Sequence, residues 1–165
     1  MNKMKGIYIE KVVVNIGCGV STPLENAKKI LESLTKRKVM IIKTKKRSTF
    51  NFPKGKEIGC MVTIRDDRNE FLKRLLRSKG NAIDSSSFDK SGNFSFGIKE
   101  YIDIPDMEYD PRIGMIGMDV CVTLHRPGYR VKKKKIGSKI GKGHIITKDE
   151  AIKFMTENFA IQVNE

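Results

Sequence analysis

Four stretches of this chain alternate apolar and other residues with a period of two, and that pattern limits its fold more than any other feature. They read "IYIEKVVVNI" from Ile7 to Ile16, "EIGCMVTIR" with Ile58, Cys60, Val62 and Ile64 in step, "NFSFGIKEYIDI" with Phe94, Phe96 and Ile98, and "MDVCVTLHR" with Met118, Val120, Val122 and Leu124. Successive side chains of a strand point to opposite faces, so each stretch predicts a strand with one face buried. In the third, Ile102 and Ile104 continue the apolar face after Glu100. Shorter runs, "VMIIKTKK" and "AIQV", predict a strand leading into a basic loop and a last edge strand.

Helical signals are interleaved with these strands. "STPLENAKKILESLTKR" has Thr22 as a cap, Pro23 at the first helical position and Glu25 reaching back, with Leu24, Ala27, Leu31 and Leu34 at helical spacing. Asp67 and Glu70 can cap "RNEFLKRLLRSKG", which carries an apolar stripe of Phe71, Leu72, Leu75 and Leu76, and Gly80 suits a left-handed stop. Thr147 and Glu150 form a capping box before "DEAIKFMTENF". "NAIDSSSFDKSG" reads as a long surface loop with Phe88 tucked back, and "PDMEYDPRIGMIG" as an acidic connection. The mixture predicts an α+β fold, a mainly antiparallel sheet with helices packed on one face and extended basic loops. The other sheet face is left to bind a partner. At 165 residues and 39% apolar content, a single domain over 1–165 is expected, with a mobile basic arm near 129–144.

The charge is segregated. From Ser33 to Lys56 there are nine basic residues and no acid; from Val120 to Lys148 there are nine more, again with no acid. These eighteen cations against a net charge of +14 leave the remainder at −4. A solvated surface mixes its signs, whereas two acid-free stretches set against an acidic remainder suit a phosphate backbone. No apolar run approaches the roughly 20 residues of a spanning helix, so no membrane partner is expected. "MNKMKGIYIEK" does not resemble a secretory signal, because Glu10 and Lys11 interrupt its apolar stretch. A cytoplasmic location is expected.

Cofactor and catalytic motifs find little support. Cys18, Cys60 and Cys121 form no Cys-x-x-Cys pair and read as small buried thiols on strands, and neither His125 nor His144 has a second ligand at helical spacing, so neither a metal nor another cofactor is expected. "IGSKIGKGH" resembles a phosphate-cradling loop, but Gly137 and Gly141 enclose only three residues and Gly143 stands where the magnesium-binding hydroxyl belongs. "GCGVST" opens as a dinucleotide fingerprint, yet Thr22 occupies the third glycine position and the acidic residue due further on falls in a basic stretch. Asp103, Asp106, Glu108 and Asp110 lack calcium-loop spacing and read as a solvated strip. Phe94 and Phe96 belong to the core by their alternation, whereas Phe50 and Phe52, flanked by cations, are better candidates for stacking on bases.

In order, "EKVVVNIGCG", "EIGCMVTIRD", "EFLKRLL", "SSFDKSGNFSFGIKEYIDIPDMEYDP", "IGMDVCVTLHRPGYRV" and "HIITKDEAIKFM" closely resemble the universal large-subunit ribosomal proteins of the L-five family, in archaeal and eukaryotic form. The resemblance runs nearly end to end. It implies a non-enzymatic α+β protein that binds 5S ribosomal RNA in the central protuberance, contacts P-site transfer RNA and helps bridge to the small subunit. The implied partners are 5S rRNA, 23S-type rRNA, P-site tRNA and neighbouring ribosomal proteins, including a small-subunit protein at the bridge. Lys11 and Asn15 match the family's RNA-facing strand. Thr44, Lys45, Lys46, Arg47, Ser48 and Thr49, with Lys54, match its 5S-binding loop. The loop Ser78 to Phe88, with Lys79, Gly80, Asn81, Ser85, Ser86 and Ser87, stands where the family approaches transfer RNA and offers hydroxyls rather than arginines. The segment holding Arg126, Tyr129, Arg130, Lys132, Lys133, Lys134, Lys135, Lys139 and Lys142 marks the archaeal and eukaryotic branch and is expected on ribosomal RNA.

Two other readings compete. An RNA-modifying or nucleotide-dependent enzyme would use the same basic surface and show a convergent site with a perturbed acid or base. An adaptor would use the acidic strip from Asp103 to Asp110.

Overall fold

The computed structural model of the chain describes residues 2–19, 23–47 and 52–164. Along these residues follow β1 (Tyr8–Gly17), α1 (Leu24–Thr35), β2 (Met40–Lys43), β3 (Glu57–Ile64), α2 (Arg68–Ser78), β4 (Ala82–Asp84), β5 (Phe94–Ile98), β6 (Met118–His125), α3 (Lys148–Phe159) and β7 (Gln162–Asn164). β1 to β3, β5 and β6 form one sheet in the order β2-β3-β1-β6-β5, antiparallel throughout. The fold is α+β, as the alternation implied.

The strand pattern has a physical origin that the sequence shows only in part. Ile9 and Val12 are both buried on the same sheet face although their separation is odd. A β-bulge at Glu10 supplies the extra residue: Ile9 pairs with Leu124, and the next pair is Lys11 with Thr123. Past the bulge, Val12, Val14 and Ile16 point inward with Cys60, Val62 and Ile64 of β3 and Val120, Val122 and Leu124 of β6. Ala27, Ile30, Leu31 and Leu34 of α1 and Leu72, Leu75 and Leu76 of α2 close over this face, α1 against β3 and α2 against β1. Phe94 and Phe96 are buried, stacked in line with the tucked Phe88 at centroid distances of 5.0 and 6.4 Å.

Several local expectations need correction. Thr22 lies outside the described residues, and Pro23 occupies the cap position of α1 rather than its first turn. Asp67 stands at the N-cap of α2 in a left-handed conformation, φ 51°, and its side chain makes no capping bond. The stretch 81–88 is only in part a loop: β4 pairs in parallel with β7, so the last strand joins a separate two-stranded sheet rather than the edge of the main one. β5 ends at Ile98, where the chain turns into a 3-10 helix, Tyr101–Asp103, that buries Tyr101 and Ile104 and leaves Ile102 half-buried. The capping box at Thr147 and Glu150 is present as expected, with both reciprocal bonds.

The entry to β5 is the tightest turn in the packing. Asp89 accepts hydrogen bonds from the backbone N–H groups of Ser91 and Asn93, both at 2.8 Å. Between them Gly92 adopts φ 75°, and a Cβ there would lie 2.6 Å from Ile146 Cγ2 and 3.2 Å from the Cβ of Ala151. Replacing Gly92 with Ala therefore combines backbone strain with overpacking of a buried contact. We expect Gly92→Ala to destabilise the fold by about 2 kcal/mol or more, measured as a lower urea midpoint at unchanged slope.

Candidate nucleic-acid interface

Among the described residues, one face of the sheet carries no helix layer. On it lie Lys11, Val13 and Asn15 of β1, Met61 and Thr63 of β3, Asp119, Cys121 and Thr123 of β6, and Ser95 and Gly97 of β5, in the register fixed by the ladder. Most of these side chains are small or polar, with Val13 and Met61 the apolar exceptions, and Lys11 and Asn15 are half-buried among them.

The two acid-free segments stand at opposite ends of this face. Gly17 pairs with Gly59 at one end of β1, and there β2 and β3 run out into the 44–56 connection. Tyr8 pairs with His125 at the other end, where β6 leads into the 126–148 segment. At about 3.3 Å per residue the strand places the two roughly 30 Å apart. The first segment is pinched at its base. The Thr44 N–H donates to Lys56 O at 2.8 Å and its hydroxyl to Pro53 O at 2.6 Å, while Gly55 N–H returns to Thr44 O at 2.9 Å. Lys45, Lys46, Arg47 and Lys54 are exposed. The Lys56 ammonium lies 4.8 Å from the centroid of the Phe52 ring, so one stacking candidate is already covered by a cation. Ser48, Thr49 and Phe50 lie outside the described residues.

The second segment is an arch with a fixed base. Gly128, at φ 96°, turns the chain into a 3-10 helix, Tyr129–Lys133. The Tyr129 hydroxyl donates to His144 O at 3.0 Å and accepts from Ile146 N–H at 2.9 Å, tying the start of the arch to its end. His144 Nε2 meets Pro127 O at 2.8 Å, and because a carbonyl only accepts, Nε2 carries the proton. Lys133 pairs with Glu10 in the bulge. That bond, more than the partial burial opposing it, holds the Glu10 carboxyl below its ordinary range. The crest, with Lys134, Lys135, Ile136, Lys139 and Lys142, is exposed.

Arg126 belongs to this base and not to the surface. It is 6% exposed, its guanidinium meets Glu150 at 2.8 Å, and its Nε has no partner. The ion pair, buried on its Arg126 side only, fixes the start of the arch to the first turn of α3. Sequence reasoning identified Glu150 only as a cap and gave Glu10 and His144 no place at the arch. The signal for Glu10 was available in the parity break between Ile9 and Val12.

The segment Ser78 to Phe88 is ordered by local bonds. The Ser78 hydroxyl donates to Leu75 O at 2.6 Å, Gly80 and Asn81 take left-handed φ values of 66° and 55°, and Ser85–Ser87 form a 3-10 helix. Ser86 is exposed, and Lys79, Ser85 and Ser87 are half-buried. The acidic connection lies on the helix side. Arg74 Nε donates to Pro105 O at 2.8 Å, Asn26 Nδ2 to Ile113 O at 3.3 Å, and Asp110 N–H to the buried Tyr101 hydroxyl at 3.1 Å. Asp103, Asp106 and Glu108 face solvent beside exposed Tyr109 and Met115.

Cys18 and Cys60 are buried and burial pushes both thiols up, Cys60 to about 11. Cys121 departs from expectation by lying exposed on the open face. Among the described residues no group of three or more His, Cys, Asp or Glu could hold a metal, and no helix is long and apolar enough to cross a membrane.

An uncovered sheet face between two cationic connections is an arrangement suited to a polyanion on an α+β protein, and the comparisons give the chain its family. Residues 57–154 match the family model for the C-terminus of the ribosomal L-five proteins. A large ribosomal subunit protein uL5 from Nitrosopumilus maritimus is 43% identical over 97% of this chain and 95% of its own length. Those from Pyrobaculum aerophilum and Thermoplasma volcanium are both 46% identical, over 98% and 99% of this chain and 92% and 99% of their own lengths. The chain belongs to the ribosomal L-five family, the uL5 proteins of the large ribosomal subunit, and is a structural protein rather than an enzyme.

The Arg126–Glu150 pair makes an acid-side prediction. Glu150 is held below its ordinary range first by the Thr147 backbone N–H and then by Arg126. A carboxyl depressed in the folded state contributes stability above its unfolded pKa and loses it as pH falls through the folded value. We expect Glu150→Gln to cost about 2 kcal/mol at neutral pH, a figure kept low because Glu150 is half exposed to screening water. Its loss of stability on acidification should be shallower than that of the parent, measured by urea unfolding across a pH series.

Proposed function

We propose that the chain is the structural constituent of the large ribosomal subunit that binds 5S rRNA in the central protuberance, contacts P-site tRNA and helps bridge to the small subunit, ribosome-bound in the cytoplasm. The observation that carries this reading is the open sheet face with an acid-free basic connection at each end. Duplex RNA is recognised mainly by shape, phosphates and 2′-hydroxyls, so a broad open face between two cationic grips suits it better than a deep pocket. Lys11 and Asn15 face the RNA between the grips. Thr44, Lys45, Lys46, Arg47, Ser48, Thr49 and Lys54 form one grip, and Arg130, Lys132, Lys133, Lys134, Lys135, Lys139 and Lys142 form the other, reaching 23S-type rRNA. Arg126 and Tyr129 act behind them by holding the arch. The exposed hydroxyl of Ser86, with Ser85, Ser87 and Lys79 near it, serves the tRNA contact. The acidic strip from Asp103 to Asp110, with Tyr109 and Met115, complements a basic small-subunit protein at the bridge. Charge segregation supports this division, since the strip lies on the helix side and leaves the RNA face free of its repulsion.

The test is competition binding of labelled 5S rRNA against excess tRNA and generic duplex RNA across a salt series. The 5S complex should survive competition, and if about six cations each neutralise one phosphate, log affinity should fall with log salt at a slope of roughly −4 to −5. Lys45→Ala, Lys46→Ala and Arg47→Ala together should weaken binding at least about ten-fold with unchanged unfolding. Equal competition by all three RNAs would reduce the surface to a generic polyanion grip.

A further inference from the structure

The arch does more than carry charge outward. Between its inner side and the end of the sheet lies an open cleft of about 820 Å³, lined by residues from four separate parts of the chain. Lys11 and Thr123 come from the open sheet face, Ser91 and Asn93 from the turn before β5, Tyr129, Lys132 and Lys133 from the base of the arch, and Ser138, Lys139 and Ile140 from its crest. Ile140 and Ile145 give the cleft apolar surface, and Tyr129 also lines it. Its single carboxylate, Glu10, is neutralised by Lys133.

We propose that this cleft receives one unpaired nucleotide extruded from the RNA bound on the sheet face, an inference that rests on the RNA-binding reading above and specifies what that site recognises. Three features of the cleft select this ligand. Its volume falls in the usual range for a small-ligand site, about 300–1,000 Å³, too small for a duplex but ample for one nucleotide. Its wall is amphipathic: an unstacked base needs apolar and aromatic surface, and its phosphate needs cations, which Lys11, Lys132 and Lys139 provide. Finally, the cleft opens beside Lys11 and Thr123, two residues paired across the ladder on the uncovered face, so a base leaving a helix laid on that face enters without the backbone changing course. Single-stranded bulges are where proteins obtain RNA selectivity, and a smooth sheet face offers little of it. The cleft adds selectivity to a surface that otherwise reads only shape and charge.

The experiment uses the whole chain and two hairpin RNAs identical except for one bulged 2-aminopurine nucleotide, each titrated against the parent protein and Ser91→Trp. Ser91 is exposed on one wall, so tryptophan there fills the cleft while leaving every lysine and the core in place. The parent should prefer the bulged hairpin by about ten-fold, the value of one stacked base, with 2-aminopurine fluorescence quenched on binding. Ser91→Trp should abolish the preference and the quenching, and bind the paired hairpin with unchanged affinity and salt slope. Equal binding of the two hairpins by the parent overturns the cleft assignment and leaves the RNA-binding reading intact. A preference that persists in Ser91→Trp also overturns it. Binding of neither hairpin sinks both. Saturable binding of AMP alone that Ser91→Trp removes, with the hairpins bound alike, would make the cleft a free-nucleotide site instead.

Discussion

The ladder around β1 is the constraint on which the rest of this molecule depends. β1 lies between β3 and β6, and its inward residues Val12, Val14 and Ile16 are each fully buried. Register there cannot slip, because a shift of one residue would drive all three into water and bring Lys11 and Asn15 into the core. The same register places Lys11 and Asn15 on the face that no helix covers. The glycine pair at its end shows how close the strands come: a Cβ on Gly59 would lie 2.7 Å from Ile16 O. The helix layer and the open face are therefore two consequences of one pairing.

The bulge in that ladder joins the sheet to the arch. One inserted residue keeps Ile9 inward after the parity changes and leaves Glu10 free to pair with Lys133. At the far side, Arg126 reaches Glu150, whose carboxylate also completes the capping box of α3. Two acids thus anchor a segment that contains none. The exposed Lys133 pair is the weaker, since solvent and salt screen it. The Arg126 pair is 7% and 44% exposed on its two sides, and removing one partner there would strand a charge in a nearly dry site. Both carboxylates are held below their ordinary range, so both anchors stay charged at neutral pH.

The parts of the fold that were legible in the sequence are those with local causes. Period-two alternation located β1, β3, β5 and β6, helical spacing located α1 and α2, and the Thr147–Glu150 signature located α3, because each depends on residues a few positions apart. The parallel pairing of β4 with β7 was not legible: each strand has three residues, and the pairing joins segments far apart in the chain. Asp67 shows a different limit. Its residue type suits a cap, but the turn from β3 into α2 requires a left-handed residue there, and its side chain loses the capping geometry. For the candidate site, composition located both acid-free basic segments but could not separate Arg126 from its neighbours. All are basic in sequence, and only burial distinguishes the cation that holds the arch from those on its crest.

That distinction explains why the glycines sit where they do. Besides its two ion pairs, the base of the arch is held by bonds that salt hardly touches, Tyr129 to His144 and Ile146 and His144 to Pro127, and these ignore the charge of whatever approaches. The crest carries Gly137, Gly141 and Gly143 among Lys139 and Lys142 and is exposed. A rigid crest would have to match one phosphate path in advance, and an unanchored base would spend ordering entropy on every residue of the arm. Fixing the ends with neutral hydrogen bonds and leaving glycine between the lysines confines that entropic cost to the few residues that would fit the RNA in the proposed complex.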